Sequence, residues 1–243
     1  MSNIYLVRHG QAGTRDAYDR LSDLGRRQAK LLGEHLAGQG LLFSAAYAGS
    51  MRRQQETASE VRAVYQELKI EFPKLVTRQE WDEFNLDRIY REIAPRMCDD
   101  DPDFREQYEA MRRQVRASGG EQAAPVHRRW LPCDSQIVNA WIDARYPYQG
   151  ESWNAFRQRV AACRSEMQNG TQGKENIIVF TSAMPVAIWT GLALDIADQR
   201  IMRLAGVLQN SSYSILRFKA DDLRLVTFNA APHLTDDGLR TYR

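Results

Sequence analysis

Three consecutive residues near the N-terminus have the side-chain types that phosphate chemistry uses. Arg8, His9 and Gly10 follow an apolar run at residues 4–7, which predicts a short β-strand. Arginine is a permanent cation, imidazole is a nucleophile, and glycine allows close backbone approach. A histidine at the end of a parallel strand lies where open α/β proteins place reactive groups. His9 alone could equally be a buried structural histidine, but Arg8 beside it favours a reactive site.

A second cation has a natural place at the start of a later helix. Residues 43–49 predict a second strand, with Ser50 placed to cap the helix that follows. Arg53 falls in the first turn of this helix, where free N–H groups and the helix dipole already favour anions. Arg52 points elsewhere on the helix and is expected to face solvent. A surface role is the alternative for Arg53.

A carboxyl group lies at the end of the third predicted strand, which together with its exit covers residues 74–84. Glu83 lies between Trp81 and Phe84, and apolar neighbours raise a carboxyl pKa towards the range of a general acid. Asp82 is the competitor. Strand alternation is expected to point Asp82 to the opposite side, so Glu83 is preferred. For either residue, a solvated loop acid is the alternative.

The order of elements predicts how these residues are positioned. Strands and helices alternate through the first 84 residues, with Ser22 as the N-cap of the first helix. The pattern resumes at residue 150 with a helix, a strand at 176–180 and a hairpin formed by 211–218 and 223–229. We therefore expect an α/β fold, a three-layer α/β/α arrangement around a mainly parallel central sheet.

Residues 85–149 have a different, polar and charged composition. Helical patterns occur near residues 104–115 and 135–144, so we expect a helical cap inserted into a single domain that spans residues 1–243. Its arginines could meet acidic groups of a substrate, although a solvated surface is the alternative for each. These are Arg91, Arg96, Arg128 and Arg129.

Composition narrows the function. The 243 residues are 43% apolar and 26% charged, with a net charge of +2, so neither nucleic acid nor membrane binding is expected. The longest apolar runs are shorter than a membrane span, and no signal peptide is apparent. Three cysteines without metal-ligand spacing suggest reduced thiols in a cytoplasmic protein. Neither a metal nor a cofactor is expected.

Six motifs in order resemble the histidine phosphatase superfamily, which has the phosphoglycerate mutase-like fold. The resemblance covers most of the chain, although each motif alone is weak. The motifs are LVRHGQA, LSDLGRRQA (21–29), GSMRRQQETA (49–58), WDEF, GES (150–152) and NAAPHL (229–234).

The resemblance implies a two-step phosphoryl transfer without a metal. His9 would attack phosphorus and carry a phosphohistidine, while Arg8 and Arg53 would neutralise the non-bridging oxygens. Glu83 would protonate the leaving oxygen and later activate water.

The stretch VFTSAMP (179–185) departs from the family pattern. Ser182 falls where the family has a second histidine, which binds phosphate opposite the nucleophile. Ser182 can still donate a hydrogen bond, and a helix start can bind phosphate, but the positive charge is lost. Of the other histidines, His35 lies on the first helix and His233 at the family's late structural position. His127, in the cap, is the one remaining histidine that could reach the site.

A second departure follows the nucleophile. The loop QAGTRDAYDR has Thr14 or Arg15 in the region where mutase-like members have an asparagine. The sequence therefore favours a phosphomonoester hydrolase of a small phosphorylated metabolite, with reduced activity. The alternative is a catalytically weak protein that binds phosphate esters or has a regulatory role, and a phosphoglycerate mutase is less favoured. The expected partner is a phosphorylated small molecule or phosphate; oligomeric state is open, and a homodimer is compatible with the sequence.

Overall fold

The computed structural model describes residues 2–13, 19–117, 132–169, 175–219 and 222–242. Six strands form one mixed sheet in the order β3-β2-β4-β1-β5-β6. The strands are β1 (Ser2–Arg8), β2 (Ala45–Ala48), β3 (Leu75–Thr77), β4 (Asn176–Thr181), β5 (Tyr213–Lys219) and β6 (Asp222–Ala230). Three neighbouring pairs are parallel, and the pairs formed by β5 with β1 and β6 are antiparallel. The expected α/β fold is confirmed, including the C-terminal hairpin.

Eight helices accompany the sheet in the described parts of the chain. They are α1 (Asp23–Gly38), α2 (Arg52–Glu67), α3 (Leu86–Asp100), α4 (Pro102–Ala117), α5 (Pro132–Ile142), α6 (Trp153–Asn169), α7 (Ala183–Leu194) and α8 (Asp198–Ala205). Ser22 caps α1 as expected, because its Oγ accepts the N–H of Gly25 at 3.0 Å. The expected cap of α2 is wrong: Met51 is the N-cap residue, and Ser50 instead bonds to Asp82.

Alternation along the central strand explains why both faces of the sheet are covered. In β1, Ile4 and Leu6 belong to one core cluster, whereas Tyr5 and Val7 belong to the other. The second cluster includes the buried faces of α1 and α2. A strand buried on both sides is an almost continuous apolar run, as β1 and β4 are in the sequence. The polar residues that follow such strands are thereby placed at the sheet's edge.

The helices between β3 and α6 share the core of the main domain. Ile89, Ile93, Phe104 and Ile137 are buried in the same cluster as Trp189. The sequence patterns predicted α4 and α5 but not α3, whose interior contains a proline at position 95. This arrangement explains how a polar segment can be helical without an apolar core of its own: its apolar face packs onto the sheet domain.

No helix among the described residues is long and apolar enough to span a bilayer.

Candidate active site

His9 lies at the carboxyl end of β1, almost fully buried at 3% exposure. Its backbone N–H bonds to Thr181 O, which fixes it against the end of β4. Nδ1 lies 2.7 Å from Gly10 O, and Nε2 lies 3.2 Å from Arg53 Nε. A carbonyl oxygen can only accept, so Nδ1 carries the proton and Nε2 presents its lone pair. Nε2 is thus the unprotonated nitrogen, and in this structure its lone pair accepts the Nε–H of Arg53.

The surroundings of His9 favour its neutral form. Burial, followed by the positive charges of Arg53 and Arg8, holds the pKa of His9 well below its usual range. A neutral imidazole can act as a nucleophile near neutral pH, whereas an imidazolium cannot. The position at a buried strand end therefore supplies both the orientation and the protonation state that nucleophilic attack requires.

Arg53 joins His9 to the N-terminus of α2. Its guanidinium contacts His9 through Nε, and Nη1 forms an ion pair with Asp19 Oδ1 at 3.0 Å. Asp19 Oδ2 also accepts the N–H of Arg52 at 3.2 Å. A carboxylate therefore lies where a helix N-terminus and a guanidinium together favour an anion. Sequence reasoning predicted Arg53 at this place but missed Asp19, which comes from the loop after the nucleophile.

Arg8 is directed towards the C-terminal segment. Its Nη1 donates to Leu208 O and, at 2.9 Å, to Tyr242 O, and the side chain is buried. Its charge still lowers the pKa of His9. The geometry therefore gives Arg8 contacts that tie β1 to the chain's end, while its role as a phosphate ligand stays a prediction.

Glu83 lies beside the first turn of α7. Its Oε2 accepts the N–H of Met184 at 3.1 Å, and its Oε1 accepts the N–H of Phe84 at 3.2 Å. Burial raises the pKa of Glu83, and these hydrogen bonds together with the charge of Arg53 oppose the rise. A carboxyl group with a raised pKa carries its proton to higher pH, as a general acid must.

Asp82 and Glu83 diverge, but strand alternation is not the reason. β3 ends at Thr77, and a short 3-10 helix (Gln79–Trp81) separates it from the two acids. Asp82 instead accepts hydrogen bonds from the N–H and hydroxyl of Ser50. The preference for Glu83 rested on the wrong geometry, although the two side chains do have different surroundings.

Ser182 follows β4 and is the N-cap residue of α7. The β1–β4 register pairs Arg8 with Thr181, so His9 and Ser182 are the next residues at the same edge of the sheet. The Ser182 side chain is buried and accepts a hydrogen bond from Gln54 Nε2 at 2.9 Å. Gln54 is a second residue that sequence reasoning missed. Its only sequence signal is its position next to Arg53 on α2.

Two motif glycines bring the loop that follows His9 against α1. A Cβ at Gly10 would lie 2.4 Å from Gly25 O, and a Cβ at Gly25 would lie 2.1 Å from Gln11 O. The space beside Gly10 is thus filled by the backbone of Gly25, a close approach that only glycine allows. The N–H of Gly10 donates to Thr57 Oγ1 at 3.1 Å, so α2 holds the loop from the other side.

A cavity of about 350 Å³ opens beside Glu83. Its lining is mostly polar and comprises Met51, Gln79, Asp82, Glu83, Asn85, Arg88, Tyr148, Gly150, Glu151 and Arg159. Arg159 is bound to Glu151 through two contacts of 2.7 and 2.9 Å. Arg88 pairs with Glu92 at 2.6 Å. The carboxyl group of Glu83 thus lies at the wall of a cavity.

The cap arginines do not form this lining in the described part of the chain. Arg91 and Arg96 are exposed on α3 and are absent from the cavity wall. Arg128, Arg129 and His127 lie outside the described residues, as do Thr14 and Arg15. Arg88 is the α3 arginine that faces the cavity, a residue that the sequence did not single out.

The remaining described histidines lie together in a separate cluster. His35 and His233 have ring centroids 6.0 Å apart, and His233 Nε2 lies 3.2 Å from Ser211 Oγ. Ser211 donates its backbone N–H to His9 O, so the cluster is linked to the end of β1 through Ser211. Within the described ranges, no group of three His, Cys, Asp or Glu side chains could hold a metal ion.

Comparison with known proteins identifies the class. The family model of the histidine phosphatase superfamily (branch 1) matches residues 4–141 and 134–231. The chain belongs to the histidine phosphatase superfamily.

One curated relative matches a short part of the chain. The chain is 42% identical over 57 residues to the mitochondrial serine/threonine-protein phosphatase Pgam5 of Caenorhabditis briggsae, a stretch covering 24% of this chain and 20% of that protein. The chain thus matches about a fifth of that curated relative's length.

Solved structures match over nearly the whole chain. A phosphoglycerate mutase from Bacillus anthracis has a TM-score of 0.62 at 18% identity, with 96% of this chain and 95% of the other covered. A phosphoserine phosphatase from Entamoeba histolytica, solved with phosphoserine, has a TM-score of 0.58 at 14% identity, with 96% and 100% covered. At these identities the likeness establishes the fold.

Proposed function

We propose that this protein is a metal-independent phosphomonoester hydrolase that acts on a small phosphorylated metabolite through a phosphohistidine on His9. The observation that carries the proposal is the contact of His9 Nε2 with Arg53 Nε at 3.2 Å. The bond of Nδ1 to Gly10 O leaves Nε2 unprotonated, and Arg53 lies beside it as a cation that would hold the phosphoryl oxygens. Arg53 would move its Nε–H from Nε2 to a phosphoryl oxygen before Nε2 attacks.

In the first step, His9 Nε2 forms a bond to phosphorus while the bond from phosphorus to the ester oxygen breaks. Protonated Glu83 gives its proton to that oxygen, and the alcohol leaves. In the second step, ionised Glu83 takes a proton from a water that attacks phosphorus. The N–P bond breaks, inorganic phosphate is released, and both side chains return to their starting states.

Charge neutralisation would come from the groups around Nε2. Arg53 and the N-terminus of α2 face the position that the phosphoryl group would occupy, and Arg8 adds positive potential from behind His9. The uncharged Ser182 provides a hydrogen-bond donor on the β4 side. Because a missing charged hydrogen bond costs roughly 30- to 1,000-fold in rate, we expect slow turnover.

The test is phosphate release from phosphomonoesters, including phosphoserine and p-nitrophenyl phosphate, in the presence of EDTA. We expect the wild-type chain to hydrolyse at least one ester and to form an acid-labile phosphoryl adduct. His9→Ala should lose both, whereas Arg91→Ala, which changes an exposed arginine of α3 outside the cavity wall, should keep both. Equal rates for the wild-type chain and His9→Ala would overturn the proposal.

The missing positive charge at position 182 favours a second candidate function, the binding of phosphate esters with little turnover. In that case inorganic phosphate would raise the melting temperature of the wild-type chain, but no adduct and no hydrolysis would be detected.

A further inference from the structure

Ser182 occupies an N-cap position but does not cap its helix. A serine there usually accepts the N–H of the second or third helical residue. In α7 the second residue is Met184, whose N–H is bound by Glu83, and the third is Pro185, which has no N–H. The hydroxyl of Ser182 is therefore released from helix capping and is available for another use.

Gln54 donates a hydrogen bond to the hydroxyl oxygen of Ser182. Its Nε2 lies 2.9 Å from Ser182 Oγ and 3.2 Å from Trp81 O. The carbonyl oxygen of Trp81 can only accept, so the end of the carboxamide that contacts it must be the donating nitrogen. This contact fixes which end of Gln54 faces Ser182. The amide nitrogen can only donate, which makes Ser182 Oγ the acceptor. The hydroxyl hydrogen must then point away from Gln54.

The placement of Gln54 is not explained by stability. Gln54 is fully buried, and among the described residues its Oε1 has no hydrogen-bond partner, which is unfavourable for a buried acceptor. That oxygen lies against Gly49, where a Cβ would come within 2.0 Å of it. Trp81 O has a second donor, Thr181 Oγ1 at 2.6 Å, so it does not depend on Gln54.

Consecutive residues of α2 thus reach the two sides of the site. Arg53 contacts His9 at the end of β1, and Gln54 contacts Ser182 at the end of β4. We propose that Gln54 is a positioning residue that orients the Ser182 hydroxyl as a hydrogen-bond donor to a phosphoryl oxygen held at His9. This inference rests on the proposed function. It makes Gln54 and Ser182 one functional unit.

The test is a double-mutant cycle on hydrolysis of p-nitrophenyl phosphate, with Gln54→Met, Ser182→Ala and the combined variant. Methionine keeps the length of the side chain and removes the amide. We expect Gln54→Met to lower kcat/KM roughly 3- to 10-fold, the effect of one neutral hydrogen bond. The combined variant should be no slower than Ser182→Ala, because Gln54 acts through that hydroxyl.

Two further readouts separate this role from a structural one. Gln54→Met should keep or raise the melting temperature, since it removes a buried acceptor without a partner. Gln55→Met, the neighbouring glutamine whose amide bonds to Gly49 O, should keep kcat/KM within about 2-fold. Should Gln54→Met not fold, Gln54→Ala takes its place in the cycle.

The outcomes distinguish this proposal from the proposed function. Suppose that wild-type hydrolysis depends on His9, but the losses in the cycle are additive or Gln54→Met shows no loss. The role of Gln54 would then be overturned, while the proposed function would stand. If the wild-type chain shows no turnover, the same cycle is measured as orthovanadate affinity, with the same expectations. A wild-type chain that neither hydrolyses esters nor binds orthovanadate would overturn both.

Discussion

The N–H of Met184 donates to Glu83 Oε2 at 3.1 Å, so the first turn of α7 holds the acid that follows β3. This bond favours the ionised carboxylate, whereas burial favours the protonated form and raises the pKa. Burial is the largest of these influences, so the pKa of Glu83 remains raised. The same helix start thus connects Glu83 and Ser182.

Glu83→Gln should separate substrates by their leaving groups. Glutamine cannot give a proton, so hydrolysis of an alkyl phosphate should fall roughly 100- to 10,000-fold. The first step with p-nitrophenyl phosphate should fall much less, because nitrophenolate leaves without protonation. The measurement is burst kinetics with both esters. Asp82→Asn, which alters the neighbouring acid bound to Ser50, is the matched control, and an equal loss with both esters would contradict the assigned role.

Arg53→Gln should move the acidic limb of the pH–rate profile to higher pH. The charge of Arg53 disfavours protonated His9, so its removal raises the pKa of His9. Attack requires neutral His9, and the rate will then begin to fall at a higher pH as the solution is acidified. We also expect kcat/KM to fall roughly 100-fold.

The profile of kcat/KM from pH 4 to 8 measures both effects. Arg52→Gln removes the adjacent, exposed arginine and should leave the limb in place. An acidic limb that stays fixed in Arg53→Gln, or moves to lower pH, is incompatible with the electrostatic role of Arg53.

Asp19→Asn should tighten the binding of inorganic phosphate. Asp19 pairs with Arg53 Nη1 at 3.0 Å and with the N–H of Arg52, so a phosphate at this helix start must compete with its carboxylate. The Asp19 side chain is 51% exposed, and we expect a gain of roughly 2- to 5-fold. Isothermal titration at low salt measures the affinity. Asp23→Asn makes the same change of net charge away from this pair; equal affinities in the two variants would show that Asp19 does not compete.

His233→Gln should flatten the acid dependence of stability. Burial, together with the nearby His35, lowers the pKa of His233 to about 4, against about 6.5 in an unfolded chain. As the pH falls below about 6.5, the unfolded chain therefore binds the proton first, and the free energy of unfolding decreases towards pH 4. Above about pH 7 this dependence vanishes.

Urea unfolding of both proteins at pH 4.5, 5.5 and 7.5 gives the comparison. Glutamine can still offer an amide to Ser211, so folding should survive. The decrease of unfolding free energy between pH 7.5 and 4.5 should be smaller in the variant. Identical decreases would show that His233 does not contribute to acid sensitivity.

The sequence predicts those site residues whose position follows from local structure. His9 could be placed because apolar residues 4–7 predict a buried strand, and Arg53 because it follows a predicted helix start. Glu83 was selected through apolar neighbours, although the chain leaves the sheet at Thr77 and alternation does not apply. Gln54 and Asp19 were missed because their significance depends on tertiary contacts with Ser182 and Arg53.

The ring of Phe84, the residue after Glu83, stacks on Trp141 of α5 with 4.9 Å between centroids. Phe84 also packs edge-on against Phe156 of α6. The ring of Phe84 therefore connects α5 of the inserted segment with α6 of the main domain, next to Glu83. Detachment of α5 would remove the ring that stacks on Phe84, the residue next to Glu83. Because the inserted helices share one core with the sheet, we expect activity to disappear in the same heat or denaturant transition that unfolds the sheet.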